Sequence, residues 1–270
     1  MSPRTLIEKL SLERLEVNLF RGFTPGGEGR RRIYGGQVIA QSLLAAFETV
    51  EDRLCHSLHC YFIRPGDPSI PIIFEVDRAR DGGSFTTRRV IAVQKGRQIF
   101  NLACSFQAAE EGFEHQRPMP EAPGWDQTPI DEDDDPDVEP LEIRRAGGHV
   151  ARGGPPLEPR QQVWMRARDR LPADQKIHQV VLAYASDMTL LGTSLRPHGV
   201  HWDELQSASL DHAMWFHRPI DANAWHLFDQ ESPSASGGRG MNFGYLYGPG
   251  GVLVATCAQE GLMRRLKSPG

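Results

Sequence analysis

The chain has 270 residues, 39% of them apolar and 24% charged, with a net charge of −5, an ordinary balance for one large globular domain or two of average size. The acidic balance leaves no footprint for nucleic acid. No run reaches the about 18 apolar residues of a membrane helix, and Met1 to Leu10 lacks the apolar centre of a secretory leader. The four cysteines, Cys55, Cys60, Cys104 and Cys257, form no CxxC pair or other zinc spacing. Each lies in an apolar, strand-like run, so buried free thiols in a reducing cytoplasm are expected, with no metal or cofactor.

In chain order, Leu15 to Phe20 reads as a first strand and the Gly/Arg-rich stretch Thr24 to Arg32 as a loop. Tyr34 to Val50 has helical spacing, with Val38, Gln41, Leu44 and Ala45 on one face. Ser57–Ile63, Ile72–Ala79, Ser84–Gln94 and Gln98–Gln107 follow as strands between Pro/Gly/Asp turns, with a hairpin turn at Gln94-Lys95-Gly96-Arg97. Pro118 to Pro140, proline-rich and then acidic from Asp131 to Glu139, reads as a solvated connector. It divides the chain into a unit at 1–117 and a unit at 141–270. The second unit repeats the plan: a strand at Leu141–Arg145, a returning strand at Gln161–Arg168 and a helix over Ala173–Leu191. Strands follow at Ser207–His217, Trp225–Glu231, Gly240–Tyr247 and Val252–Met263, with a turn at Tyr247–Gly251.

Short motifs recur at near-constant spacing. Tyr61-Phe62-Ile63-Arg64-Pro65 returns as Trp215-Phe216-His217-Arg218-Pro219, Gly82-Gly83 as Gly237-Gly238, and Leu15-Glu16-Val17 resembles Leu141-Glu142-Ile143. A helix wrapped by an antiparallel sheet, twice, is an α+β double hot-dog plan, with the two sheets joined into one. Similarities between copies then report the fold, and differences point to chemistry.

The largest difference is Asp187. It falls on the apolar stripe of its helix with Val180, Tyr184 and Leu191, where an ionised carboxylate is costly unless it is hydrogen-bonded. The matching first-copy residue is read as Gln41. Ser209 and Gln259 are its expected companions, matched to Cys55 and to about Phe106. Singly, Ser209 and Gln259 would be ordinary strand residues, and Asp187 a helix residue tied to backbone donors. Jointly, the second copy is polar at three places where the first is mostly not. His212 and His217 have an odd separation, which puts them on opposite faces of a strand and speaks against a shared metal. His59, His178 and His217 read as structural. Arg64 and Arg218 recur in both copies, which favours a structural role over contact with a phosphate.

Seven runs carry a specific resemblance. They are Tyr34–Val38, His56–His59, Tyr61–Gly66, Arg80–Phe85, Tyr184–Asp187, Leu210–Pro219 and Gln259–Gly261. Together they resemble the acyl-CoA thioesterase II (TesB-like) family over roughly residues 10 to 265. The resemblance implies a double hot-dog fold, hydrolysis of fatty acyl-CoA and a catalytic Asp, Thr/Ser and Gln at Asp187, Ser209 and Gln259. Ser209 stands where some relatives have Thr and keeps the hydroxyl. By analogy it also implies a homo-oligomer. The chemistry suits these residue types, because water needs a base and fixed polar groups to attack a thioester. No G-x-S-x-G nucleophile elbow is present. A hot-dog enoyl-CoA hydratase would need an Asp/His signature that the chain lacks. A silent acyl-CoA sensor would have no need of the carboxylate.

Overall fold

The computed structural model describes residues 5–25, 31–130, 140–148, 150 and 154–266. A short helix α1 (Leu6–Leu10), closed by a Thr5/Glu8 capping box, precedes strands β1 (Leu12–Glu16) and β2 (Leu19–Gly22). Neither α1 nor this hairpin is legible in the sequence. The expected single strand reverses at Val17-Asn18, a turn without Gly or Pro that is held by Arg14 donating to the Val17 carbonyl. Residues 26–30 of the expected loop lie outside the described residues. Helix α2 (Gly35–Phe47) is buried almost all round, as a helix in the core of a sheet must be. Strands β3 (Leu54–Phe62), β4 (Ile72–Asp81), β5 (Phe85–Gln94) and β6 (Arg97–Gln107) complete the first half. The β5–β6 turn has Lys95 and Gly96 both at positive φ, 51° and 69°, the backbone of a two-residue hairpin.

The second half holds β7 (Leu141–Ala146), β8 (Arg160–Ala167), helix α3 (Gln175–Ser186), β9 (Leu205–Ser209), β10 (Asp211–Phe216), β11 (His226–Ser236), β12 (Arg239–Tyr247) and β13 (Leu253–Arg265). All thirteen strands among the described residues join one antiparallel sheet, in the order β1-β2-β4-β5-β6-β3-β10-β13-β12-β11-β8-β7, with β9 beside β13. Read outward from the β3–β10 pair, the order is the same in both directions. β6 corresponds to β13, β5 to β12, β4 to β11 and α2 to α3. The two halves meet where Tyr61 pairs with Asp211 and Ser57 with Trp215, and α2 packs against α3 on the inner face.

The stretch expected to be a solvated connector is a strap over its described part. Trp164 donates to the Pro123 carbonyl (2.8 Å), Arg144 to the Trp125 carbonyl (2.9 Å), and Trp125 stacks on Trp225 at 5.3 Å. Aromatic rings among the prolines supply the apolar area that a true linker lacks. The acidic run Asp131–Glu139 lies outside the described residues. All four cysteines are buried free thiols, and among the described residues no helix is long and apolar enough to cross a membrane.

Candidate active site

Helix α3 ends earlier than its apolar spacing predicts. Ser186 turns its hydroxyl back onto the Ala183 carbonyl (2.9 Å), and Asp187 is the C-cap. Two buried glutamines then capture the chain. Gln161 donates to the Thr189 carbonyl (3.0 Å) and Gln230 to the Thr189 hydroxyl (2.5 Å), and the chain continues as a 3₁₀ segment, Leu190–His198. Tertiary hydrogen bonds thus outweigh helical spacing here. The result is functional, because the Asp187 side chain leaves the end of α3 and points at the start of α2.

The start of α2 is shaped to receive it. The Gly36 amide lies beside the Asp187 carboxylate and pulls its pKa down, and the positive end of the helix dipole favours the anion. A Cβ on Gly35 would stand 2.6 Å from Asp187 Oδ2, and one on Gly36 would stand 2.4 Å from the Tyr184 carbonyl. The pair of glycines is therefore what permits the close approach of helix start, carboxylate and α3. Tyr34 seals it, its hydroxyl donating to the same Tyr184 carbonyl at 2.9 Å. Tyr34, Gly35 and Gly36 were visible in the sequence as a motif, yet nothing in the spacing revealed that they face a carboxylate from the other half.

Ser209 and Gln259 complete the cluster. Ser209 Oγ donates to Asp187 Oδ1 at 3.1 Å, and Gln259 Nε2 donates to the same oxygen at 2.5 Å. Ser209 reaches inward because of a β-bulge. It pairs with Gly261 and Ala213 with Ala258, so one extra residue sits on the β9–β10 side. The expected single strand Ser207–His217 is thus broken at Leu210. Bulges re-aim side chains in this way beside functional sites. The first half has a bulge at the matching place, between Cys55 and Ser57.

Burial and these donors act in opposite directions on Asp187. Desolvation is the largest effect and raises its pKa from 3.8 to about 6, while Gln259, Ser209, the Gly36 amide and the Arg32 charge hold it down. A carboxylate so poised is ionised at neutral pH and still basic enough to take a proton.

The correspondence between copies needs correcting at two of three places. Cys55 pairs with Phe106 as Ser209 pairs with Gly261, so Cys55 does match Ser209, but Phe106 matches Gly261. Gln259 therefore matches Cys104, two residues away on the same face. Asp187 caps α3 as Glu48 caps α2, and Glu48 is exposed. Gln41 lies mid-helix and donates to the Phe23 carbonyl (3.2 Å) and the Lys9 carbonyl (3.4 Å), tying down the N-terminal hairpin. The helix register misled because the two helices end at different points relative to the strands.

The remaining polar candidates make contacts within the fold. Arg64 donates to the Gln98 carbonyl and Arg218 to the Leu253 carbonyl, equivalent bonds in the two halves. Asp211 accepts from the Glu260 amide, His212 meets the Ser186 hydroxyl, His178 accepts from the Ala222 amide and His217 meets Thr256. His59 packs edge-on against Trp215.

Asp187 and Ser209 stand in the wall of a cleft of about 530 Å³ between the halves, with Val38, Phe62, Phe100 and Leu191 among its apolar lining and Arg32 and Arg64 also facing it. That size and lining suit an elongated apolar ligand with a charged end.

Known proteins resemble this chain over nearly its whole length. Residues 131–262 match the family model described as acyl-CoA thioesterase, and residues 24–107 match the acyl-CoA thioesterase N-terminal domain. The chain is 41% identical to human acyl-coenzyme A thioesterase 8, over 94% of this chain and 87% of that protein. It is 39% identical to acyl-CoA thioesterase 2 of Haemophilus influenzae, over 96% of each. The acyl-CoA thioesterase II TesB2 of Mycobacterium marinum superposes with a TM-score of 0.84 at 46% identity, covering 97% of this chain and 98% of that one. A hot-dog protein from Alicyclobacillus acidocaldarius shares the fold at a TM-score of 0.82 and only 19% identity. With the double hot-dog architecture and a relative this similar over nearly its whole length, the chain belongs to the acyl-CoA thioesterase family.

Proposed function

We propose that Asp187 is the general base of an acyl-CoA thioester hydrolase, and that Ser209 and Gln259 hold it and the attacking water in line. The observation that carries this reading is one carboxylate oxygen, Asp187 Oδ1, receiving both the Ser209 hydroxyl and the Gln259 amide at the wall of an apolar cleft. Water between Asp187 and the thioester carbonyl gives its proton to the carboxylate as its oxygen bonds to carbon. The tetrahedral intermediate then collapses and expels the coenzyme A thiolate, which takes the proton back. General-base assistance of this kind contributes about 10²–10⁴-fold. The Gly35 amide at the start of α2, beside the Asp187 carboxylate, is the candidate donor for the developing oxyanion. The acyl chain lies along the apolar lining, each buried methylene contributing about 0.8 kcal/mol, and Arg32 and Arg64 offer cations to the phosphates of coenzyme A. A two-unit division at 118–140, a homo-oligomer and a cytoplasmic location belong to the same reading. Exposed Tyr61, Trp215 and Phe243 on the outer face of the central strands suit the association of copies.

Thiol release from a series of saturated acyl-CoAs tests the reaction. Release that rises with chain length and then falls is the expected result, the maximum marking the length the cleft accepts. No release from any member would overturn the hydrolase reading.

A second expectation separates fold from chemistry. Gln41→Ala strips a donor from the part-buried Phe23 and Lys9 carbonyls and should cost about 1 kcal/mol of stability, read by denaturant unfolding, with turnover within about twofold. Abolished hydrolysis in a folded Gln41→Ala protein would mean that the first half holds a site of its own.

A further inference from the structure

Two side-chain oxygens behind the proposed base are buried and have no hydrogen-bond donor among the described residues: Gln259 Oε1 and Asn242 Oδ1. Both residues are fully buried. Asn242 on β12 pairs directly with Gln259 on β13, so the two side chains rise from the same face of the sheet, and such pairs have Cβ atoms about 4.5–5.5 Å apart. The Asn242 side chain does reach its neighbour, since Nδ2 lies 3.4 Å from the Gln259 backbone carbonyl. Buried amide oxygens without partners are rare and call for a cause.

The repeat says where this position looks. Arg88 pairs with Cys104 as Asn242 pairs with Gln259. Arg88 crosses the core to the C-terminal end of α2, bonding the Thr49 hydroxyl (2.8 Å) and carbonyl (3.0 Å). The equivalent end of α3 carries Asp187. The second half therefore has a short carboxamide where the first has a guanidinium that fills the space.

We propose that Asn242 is a positioning residue, donating its side-chain amide to Gln259 Oε1 and so locking Gln259 with its own amide toward Asp187. This needs a half-turn of the Asn242 carboxamide. The turn gives up two contacts, to the Gly240 and Gln259 carbonyls, both at 3.4 Å and at the outer limit of a hydrogen bond, and sets Oδ1 against those two oxygens, so the bond to Gln259 Oε1 must outweigh that repulsion. It exchanges N for O in a group of nearly unchanged shape. Without the lock, Gln259 is free to rotate its oxygen toward the carboxylate and withdraw a donor. The proposal rests on Asp187 being the base.

The test measures kcat and KM against pH for wild type, Asn242→Ala, Asn242→Ser and Asp187→Asn on one acyl-CoA. Asn242→Ala should lower kcat roughly tenfold, with KM within about twofold, and should shift the acid limb of kcat upward, because a carboxylate that loses a donor binds its proton more tightly. Asn242→Ser keeps a hydroxyl that can donate and should recover most of the loss. Comparison with Asp187→Asn identifies the part of the limb that belongs to Asp187. Its charged or titratable neighbours are Arg32, the thiols Cys60 and Cys257, pushed up by burial, His212, pushed down to about 4, and Asp211, raised by burial against the pull of the Glu260 amide. Unchanged kcat in folded Asn242→Ala, or a fall with the limb unmoved and no recovery by Ser, overturns the proposal. If Asn242→Ala does not fold, Asn242→Leu, which keeps the shape and has no donor, must show the same raised limb. Full activity in Asp187→Asn would instead refute the base itself, so the two failures are distinct.

Discussion

Asp187→Asn should fold, bind acyl-CoA and lose at least about 10²-fold in turnover. It should also shift stability in a pH-dependent way. Asn keeps an oxygen for Gln259 and Ser209 but cannot accept a proton from water. The folded carboxylate has its pKa raised from 3.8 to about 6, chiefly by burial. A group raised on folding contributes stability that is fully present below its unfolded pKa and lost as pH rises through the folded one. Wild type should therefore lose about 3 kcal/mol relative to Asp187→Asn between roughly pH 3.5 and pH 7. The difference between the two proteins cancels the other titrating groups. At neutral pH part of the variant's gain is offset, because an Asn NH₂ would face the Gly36 amide. Denaturant unfolding at several pH values reads the slope, and thiol release reads the turnover. A stability difference that stays flat with pH would mean that the carboxylate is not desolvated. Undiminished turnover would remove it from the mechanism. The combination of lost activity with gained stability at neutral pH is the signature of a site that stores unfavourable burial for use in chemistry.

Much of this was legible in the sequence, for identifiable reasons. The strands β3 to β6 and β10 to β13 have alternating apolar residues between Gly, Pro and Asp turns, a local signal that tertiary packing did not override. The two-copy plan was readable because the Arg64 and Arg218 motifs make the same carbonyl bond in each half. Asp187 stood out because a carboxylate on an apolar stripe is a conflict between levels, and such conflicts gather at functional sites. What stayed hidden depended on contacts across the chain. The end of α3 is set by Gln161 and Gln230, which lie on other strands. The inward turn of Ser209 is set by a bulge, which changes register without changing composition. The correct partner of Gln259 is Cys104 rather than Phe106, because register follows paired hydrogen bonds and not an average spacing. The share of the first half in the site, through Gly35 and Gly36, appears only once α2 is laid against α3.

That share supplies the other large effect. Gly35→Ala should cut turnover on the order of 10²-fold while costing less stability than Gly36→Ala. The new Cβ would stand 2.6 Å from Asp187 Oδ2 and 3.0 Å from the Phe62 ring. Asp187 has no room to retreat, because Gln259 holds Oδ1 at 2.5 Å and Ser209 at 3.1 Å. The carboxylate must rotate away from water and substrate, and a misplacement of about 1 Å is enough for such a loss. Stability should fall less than in Gly36→Ala, since a Cβ at residue 35 meets the ends of side chains rather than backbone and Gly35 has no positive φ to protect. Gly36→Ala makes the contrast. Its Cβ would meet the Tyr184 backbone oxygen at 2.4 Å and the Tyr34 ring at 2.5 Å, so the two helices must part, and overpacking should cost about 1–3 kcal/mol as well as turnover. Melting temperature and thiol release on both variants separate the cases. Full turnover in folded Gly35→Ala would show that the carboxylate has slack beside α2, and would return the site to the second half alone.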